Sequence, residues 1–244
     1  MRFLTSLLAL AFVSSLAIAG TDVNEIIAKH IEAKGGLAKI KSISTLVREG
    51  TMSAAQGMEL NFTQTYKRKN KARMDMSFQG MNIIQAYDGE TAWGINPMAG
   101  GKPEKQSAEE SKQMIEQSDF DGELVDLKEK GKKVEYVGTE DIDGTTAYKL
   151  KITDKDGKET FLYLDATTYY EMRLDTKFSM MGQEADVEMV FSNFQDVNGV
   201  PMPHLMEMRA DGQTMMSMTY SAIKANVDVP DARFAFPADS GDKK

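Results

Sequence analysis

The sequence predicts a mainly β fold of the α+β kind, a strongly curved antiparallel sheet of about eleven strands forming a half-open barrel, with helices covering its concave face. Three observations carry this prediction. Apolar residues recur with period two along most of the chain, as they do where a strand has one dry and one wet face. Short turn signals separate the alternating stretches, and such turns join antiparallel neighbours. Only two segments have helical character, so they are the material available to cover an apolar sheet face.

The chain has 244 residues and begins MRFLTSLLALAFVSSLAIAG. Arg2 gives a positive start, Phe3 to Leu16 a short apolar run, and Ala17-Ile18-Ala19 the small-x-small pattern of a cleavage site. Residues 1–19 therefore read as a cleaved secretory signal, too short and wrongly flanked to anchor in a membrane. No cysteine follows, so lipid anchoring is not expected. Residues 20–238 read as one domain, and Asp239 to Lys244 as a disordered tail. From Thr21 to Lys34, apolar residues at Val23, Ile26, Ile27, Ala28 and Ile31 have helical spacing. Asp22 or Thr21 caps this helix, and Gly35-Gly36 ends it.

Strands follow. Met58, Leu60, Phe62 and Tyr66 alternate with polar residues, then Ala72, Met74, Met76 and Phe78. Tyr148, Leu150 and Ile152 do the same, then Tyr170, Met172, Leu174, Phe178 and Met180 around Glu171, Arg173, Asp175 and Lys177. Val187, Met189 and Phe191 form another set. Lys69-Asn70, Asp88-Gly89, Asp143-Gly144, Asp156-Gly157, Asn198-Gly199 and Asp211-Gly212 mark the turns. The strands fall into groups at roughly 43–95 and 132–223, separated by a polar insertion that is helical at 107–118.

Cysteine is absent, which excludes thiolate metal sites and cysteine nucleophiles. Without Arg2, 28 basic residues face 37 acidic ones, a net charge of −9. That argues against nucleic acid and against docking on anionic lipid. No segment is long and apolar enough for stable membrane insertion.

The chain carries 18 methionines, five of them in the hairpin LMEMRADGQTMMSMTYS. Met206 and Met208 share a face with Met202 and His204, and Met216 and Met218 share one with Tyr220. A plain two-residue Asp211-Gly212 turn would place Met206 beside Ser217 and mix the faces. A three-residue loop, Ala210 to Gly212 with a G1 bulge, places Met206 opposite Met216 and His204 opposite Met218, and this register is expected. Together the inward parities propose a lining of Met58, Leu60, Phe62, Met74, Met76, Phe78, Met172, Leu174, Met189, Phe191, Met206, Met208, Met216, Met218 and Tyr220. Three readings stand: an ordinary core with methionine as gap-filler, a cavity for a flexible apolar guest, or a soft-metal site for Cu(I) using Met-x-Met pairs and His204.

Catalytic chemistry has little support. His30 and His204 lack triad surroundings and read as structural. Asp119 to Asp126 clusters four acids without the ligand order of a calcium loop, and reads as a solvated acidic loop. Trp93 reads as packing the sheet rim. No enzyme activity, cofactor or resident metal is expected.

Several stretches together resemble the LolA-like periplasmic lipoprotein carriers, the LolA/LolB/LppX group. These are AKHIEAKGGLAKIKSISTLVREGTM, YKRKNKARMDM followed by AYDGETAWGINP, FQDVNGVPMPHLMEM and DARFAFPADSG. The resemblance implies a half-open barrel under a helical lid, a periplasmic location, and a cavity for lipoprotein acyl chains or lipid. It also implies a monomer that meets an inner-membrane release complex and an outer-membrane acceptor. A lid-holding arginine of the family's Lys-Arg-x-Asn turn matches Arg68, although Lys69 stands where proline is usual. The methionine lining departs from the leucine and aromatic lining common in that group.

Overall fold

The computed structural model describes residues 22–54, 57–180 and 183–237; the expected signal peptide and the tail from Asp239 lie outside them. Two helices come first, α1 (Val23–Ala33) and α2 (Leu37–Ser42). Then come β1 (Thr45–Ala54), β2 (Met58–Lys67), β3 (Lys71–Phe78), β4 (Met81–Tyr87), β5 (Ala92–Ile95) and β6 (Pro103–Lys105). Helix α3 (Ala108–Gln117) precedes β7 (Lys133–Ile142), β8 (Thr145–Thr153), β9 (Glu159–Asp165) and β10 (Glu171–Met180). β11 (Gln183–Val197), β12 (Val200–Ala210) and β13 (Gln213–Ala225) complete the sheet.

All thirteen strands join one antiparallel sheet in the order β6-β5-β4-β3-β2-β1-β13-β12-β11-β10-β9-β8-β7. It is two meanders sutured by the pairing of β1 with β13, and it does not close. The free edges, β6 and β7, are consecutive in sequence, so residues 106–132 carry the chain across the open side. The count exceeds the expected eleven partly because β6 lies in the segment read as a polar insertion. Three residues, Pro103 to Lys105, are too few to show alternation.

α1 and α2 pack on one face of the sheet, the inner face. Asp22 caps α1 by accepting from the Asn24 amide, and Gly35 and Gly36, both at φ +89°, end it and start α2. A side chain at Gly35 would meet the Gly199 carbonyl at 2.1 Å, so glycine is what lets this connection sit against the β11–β12 turn. Ile40 and Ile43 bury against Leu46, Tyr66, Ala72, Val197, Val200 and Met202. Ile26 buries with Leu124 against Leu150, Ile152, Leu162 and Leu164. Branched side chains fill this end.

Polar contacts pin the helices. His30, 1% exposed, has Nδ1 2.8 Å from the Tyr169 carbonyl and Nε2 3.7 Å from Glu171, which also takes Lys34 at 3.1 Å. Alternation assigned Glu171 to the wet face. The register shift between Glu171 and Arg173 turns it inward opposite Leu164. Burial opposes ionisation of Glu171, but Lys34 and His30 outweigh it and hold its pKa below the usual carboxylate value. Burial, helped by the charge of Lys34, pulls His30 below its ordinary value, because Glu171 does not compensate.

The acidic stretch differs from the solvated loop expected. Asp121 is 6% exposed and receives a forked pair from Arg68 at 2.9 and 2.6 Å, plus Lys41 at 2.7 Å. Asp126 pairs with Lys41, Asp119 with Lys130, and Glu123 with Lys132. Each acid meets a cation placed by the fold, which sequence spacing alone did not reveal.

On the outer face, the segment after β13 runs as a strap over β1 to β5. Thr45 donates to the Val227 carbonyl and Lys67 to that of Val229, while Arg73 donates to Arg233 and Trp93 Nε1 to Phe234 at 2.8 Å. Trp93 is 1% exposed, with the Phe236 ring edge-on at 6.0 Å. The tryptophan is therefore a buried anchor for the strap and not rim packing.

Candidate functional site

Cross-strand register orders the inner face into rows. One row reads Leu174, Met189, Met208, Met216, Ala54 and Met58 from β10 to β2. The next reads Phe191, Met206, Met218, Met52 and Leu60. A third reads Tyr220, Gly50, Phe62, Met76 and Ile83, and a fourth Ile223, Arg48, Gln64, Met74 and Gln85. The fifth reads Ala225, Leu46, Tyr66, Ala72 and Tyr87, and all of it but Tyr87 lies in or against the core that α2 covers.

The hairpin reaches this order by a different route from the one expected. Asp211 and Gly212, at φ +49° and +72°, form a two-residue turn that pairs Ala210 with Gln213. The required extra residue sits in β13 instead: Arg209 pairs with Thr214 but Met208 with Met216, leaving Met215 as the bulge, 41% exposed. Met206 therefore faces Met218, not Met216. The apolar and polar faces stay segregated, because a bulge changes parity wherever it is placed.

Phe62, Met218 and Tyr220 form a buried nucleus, with Met52, Leu60, Met74, Met76, Met206, Met216 and Ile223 packed half-buried around it. Phe62 and Tyr220 meet edge-on at 5.5 Å. Met208 is buried, Met58 is 47% exposed, and Phe78 pairs with Met81 at the far end of β3. Leu174 packs with the α1-covered core instead. Met172 lies within the Glu171–Arg173 register shift, apart from the cluster, and the side chain of Met180 lies outside the described residues. Met52 belongs to the patch and went unread, although it shares parity with Leu46.

Arg48 also went unread. It has the same inward parity, visible in the sequence as Leu46-x-Arg48-x-Gly50-x-Met52. Its guanidinium lies 5.5 Å from the Tyr66 ring centre and 5.7 Å from that of Tyr220. Burial pushes the Tyr66 hydroxyl up to about 12 and raises that of Tyr220, so both stay neutral at physiological pH. Arg48 lines a recess of about 40 Å³ with Lys34, Ile40, Phe120, Asp121 and Met202, the Asp121 carboxylate being held by Arg68 and Lys41. Arg68 stands beside the same loop. It donates to the Ile40 and Ile43 carbonyls at 2.9 and 2.6 Å, grips Asp121, and lies 4.9 Å from the Phe120 ring centre.

Helix α3 is held by a capping box between Ser107 and Glu110. It touches β4 and β5, and Lys112 reaches Asp156 in the β8–β9 turn at 2.8 Å. It thus links the two arms of the open sheet while Ile115 stays 43% exposed. Among the described residues, no cluster of three or more His, Asp or Glu side chains could hold a metal, and no helix is long and apolar enough to cross a membrane.

No family model and no curated protein matches the sequence closely enough to be scored as similar. Solved structures do match. A DUF1329 family protein from Desulfovibrio piger superposes with a TM-score of 0.59 at 14% identity, over 87% of this chain and 97% of that one. A LolA superfamily protein from Nitrosomonas europaea gives 0.57 at 16% identity, over 87% and 96%. The fold is LolA-like. An outer membrane lipoprotein-sorting protein domain from Vibrio parahaemolyticus gives 0.55 at 14% identity, over 86% and 94%. At these identities the likeness extends to the LolA-like fold alone.

Proposed function

We propose that this protein is a periplasmic, non-enzymatic carrier of acyl chains, taken from a lipoprotein or a lipid, and that the chains lie on the methionine-lined inner face. One observation carries the reading. Inward-facing methionines that a finished core would bury stay half-buried here, beyond the reach of α1 and α2. Each exposed CH₂ of a guest is worth about 0.8 kcal/mol when shielded from water, so a diacylated anchor needs such a cover to cross an aqueous space. Unbranched thioether side chains repack around guests of different shape at little cost. In this reading α3 and the loop latched by Arg68 serve as the lid, and the LolA-like fold supports the assignment.

Native mass spectrometry of protein purified from its own periplasm tests it directly. Co-purifying lipid or acyl-peptide masses support the carrier; stoichiometric copper on an otherwise empty protein would sink it. A Met206→Glu/Met216→Glu double variant places two charges on the patch and is expected to lose its lipid while keeping its circular dichroism spectrum. Retention of lipid by that variant would move the binding surface elsewhere.

A further inference from the structure

The row that closes the methionine patch toward the helices carries Arg48 and Gln64, and each has a buried polar atom without a partner. Arg48 Nε is buried and has no hydrogen-bond partner, and neither has Gln64 Oε1, which stands opposite it in register. The Tyr220 hydroxyl points its proton at the Met218 thioether, a weak acceptor 3.9 Å away, with the Arg48 guanidinium on its oxygen side. Among the described residues no carboxylate forms an ion pair with Arg48. The acids around it are committed elsewhere: Glu171 to Lys34 and His30, Asp121 to Arg68 and Lys41. Replacing part of the water around a guanidinium with aromatic rings and leaving its Nε without an acceptor is costly, and an anion delivered by a ligand lowers that cost.

The surroundings say what kind of anion. On one side of Arg48 is the recess of about 40 Å³, room for a small head group and no more. On the other, Gly50, Met52 and Ala54 continue the same parity along β1 toward the open end, a run of roughly 20 Å at 3.3 Å per residue. That is long enough to underlie an extended acyl chain. Gly50 contributes no side chain between Phe62 and Tyr220, and a Cβ there would strike the Thr219 carbonyl at 2.1 Å.

We propose that the guest is an acyl chain ending in an oxyanion, carboxylate or phosphate, whose head is received by Arg48 with the Tyr220 hydroxyl and the Gln64 amide, and whose chain lies over the methionines. This rests on the carrier reading and deepens it. A planar guanidinium meets such oxygens two at a time, the Tyr220 hydroxyl adds a neutral donor, and the amide of Gln64 offers both donors and an acceptor. Head recognition at the inner end also fixes the direction in which the chain is laid down.

The test is calorimetric titration of delipidated full-length mature protein with palmitate, palmitoyl lysophosphatidate and methyl palmitate. The protein is expected to bind at least one anion about tenfold or more tightly than the ester. Arg48→Met should bring anion affinity down to that of the ester, and Arg48→Lys should restore part of it. Which anion binds more tightly names the source of the head group. Equal affinity for ester and anions, or an undiminished preference in Arg48→Met, overturns the head-group site and leaves the carrier standing. Absence of binding by all three compounds overturns both.

Discussion

The covered and the uncovered parts of the inner face belong to one sheet, yet they are built from different side chains. At the end beneath α1 and α2 the sheet presents Leu46, Leu150, Ile152, Leu162 and Leu164, all at most 2% exposed. On β1, β3, β12 and β13 it presents Met52, Met74, Met76, Met206 and Met216, which stay half-buried. Branched aliphatic side chains have few rotamers and specify one packing, whereas methionine has three rotatable bonds and fits many. The difference teaches that the fold's stability and its adaptable surface are carried by separate patches of one sheet, even where a single row runs from Leu150 through Leu162 and Leu174 to Met189, Met208 and Met216. On β1 and β2, Arg48 and Gln64 mark the border between them.

The largest expected effect measures that division. Leu150→Ala empties a fully buried site and should cost about 2–5 kcal/mol in urea unfolding. Met216→Ala, on a half-buried site, should cost under about 1.5 kcal/mol while weakening acyl-chain binding. Similar stability losses from the two would show that the methionine rows are ordinary core and would break the comparison.

A smaller effect is expected at the clamp on the covered end. Arg68→Ala removes the forked partner of Asp121 and strips donors from the Ile40 and Ile43 carbonyls. The carboxylate is nearly buried but Lys41 remains beside it, and Arg68 is 29% exposed, so a loss of about 2 kcal/mol is expected. Hydrogen exchange should quicken in α2 and residues 119–126 and stay unchanged in β12 and β13. Faster exchange throughout the hairpin would mean that the two ends are coupled.

How much of this was legible depends on what period two can express. Alternation and turn dipeptides placed most strands, and they placed the inward methionines of β2, β3, β12 and β13 on one face. Bulges defeated it locally. The extra residue at Met215 and the shift at Glu171 each change parity without any glycine or proline to announce them. Pairing across long separations was also invisible: nothing local in Trp93 points to Phe234, and nothing in Asp121 points to Arg68. Arg48 is a different case. Its inward parity was present in the sequence, and a charge on the dry face of a strand was the available signal.

The smallest effect concerns His30, which pins α1 to the covered end only. Burial lowers its pKa below the ordinary 6.5 in the folded protein, with Glu171 and Lys34 facing the ring and acting in opposite directions. The unfolded chain therefore takes up this proton at higher pH than the folded one. Its contribution is fully present above about pH 6.5 and is lost as pH falls below that value, by up to about 1.4 kcal/mol per pH unit. Glu171 and Asp121 have depressed pKa values and act in the same sense, but only below their unfolded values of 4.5 and 3.8. Between pH 6.5 and 4.5 the falling limb thus belongs to His30. Urea unfolding across that window should show it, and His30→Gln should flatten it, while affinity for an uncharged acyl ester measured over the same range stays level. An acid-dependent loss of ester binding that His30→Gln abolishes would show that loosening α1 reaches the methionine rows, and the two ends would then have to be treated as one unit.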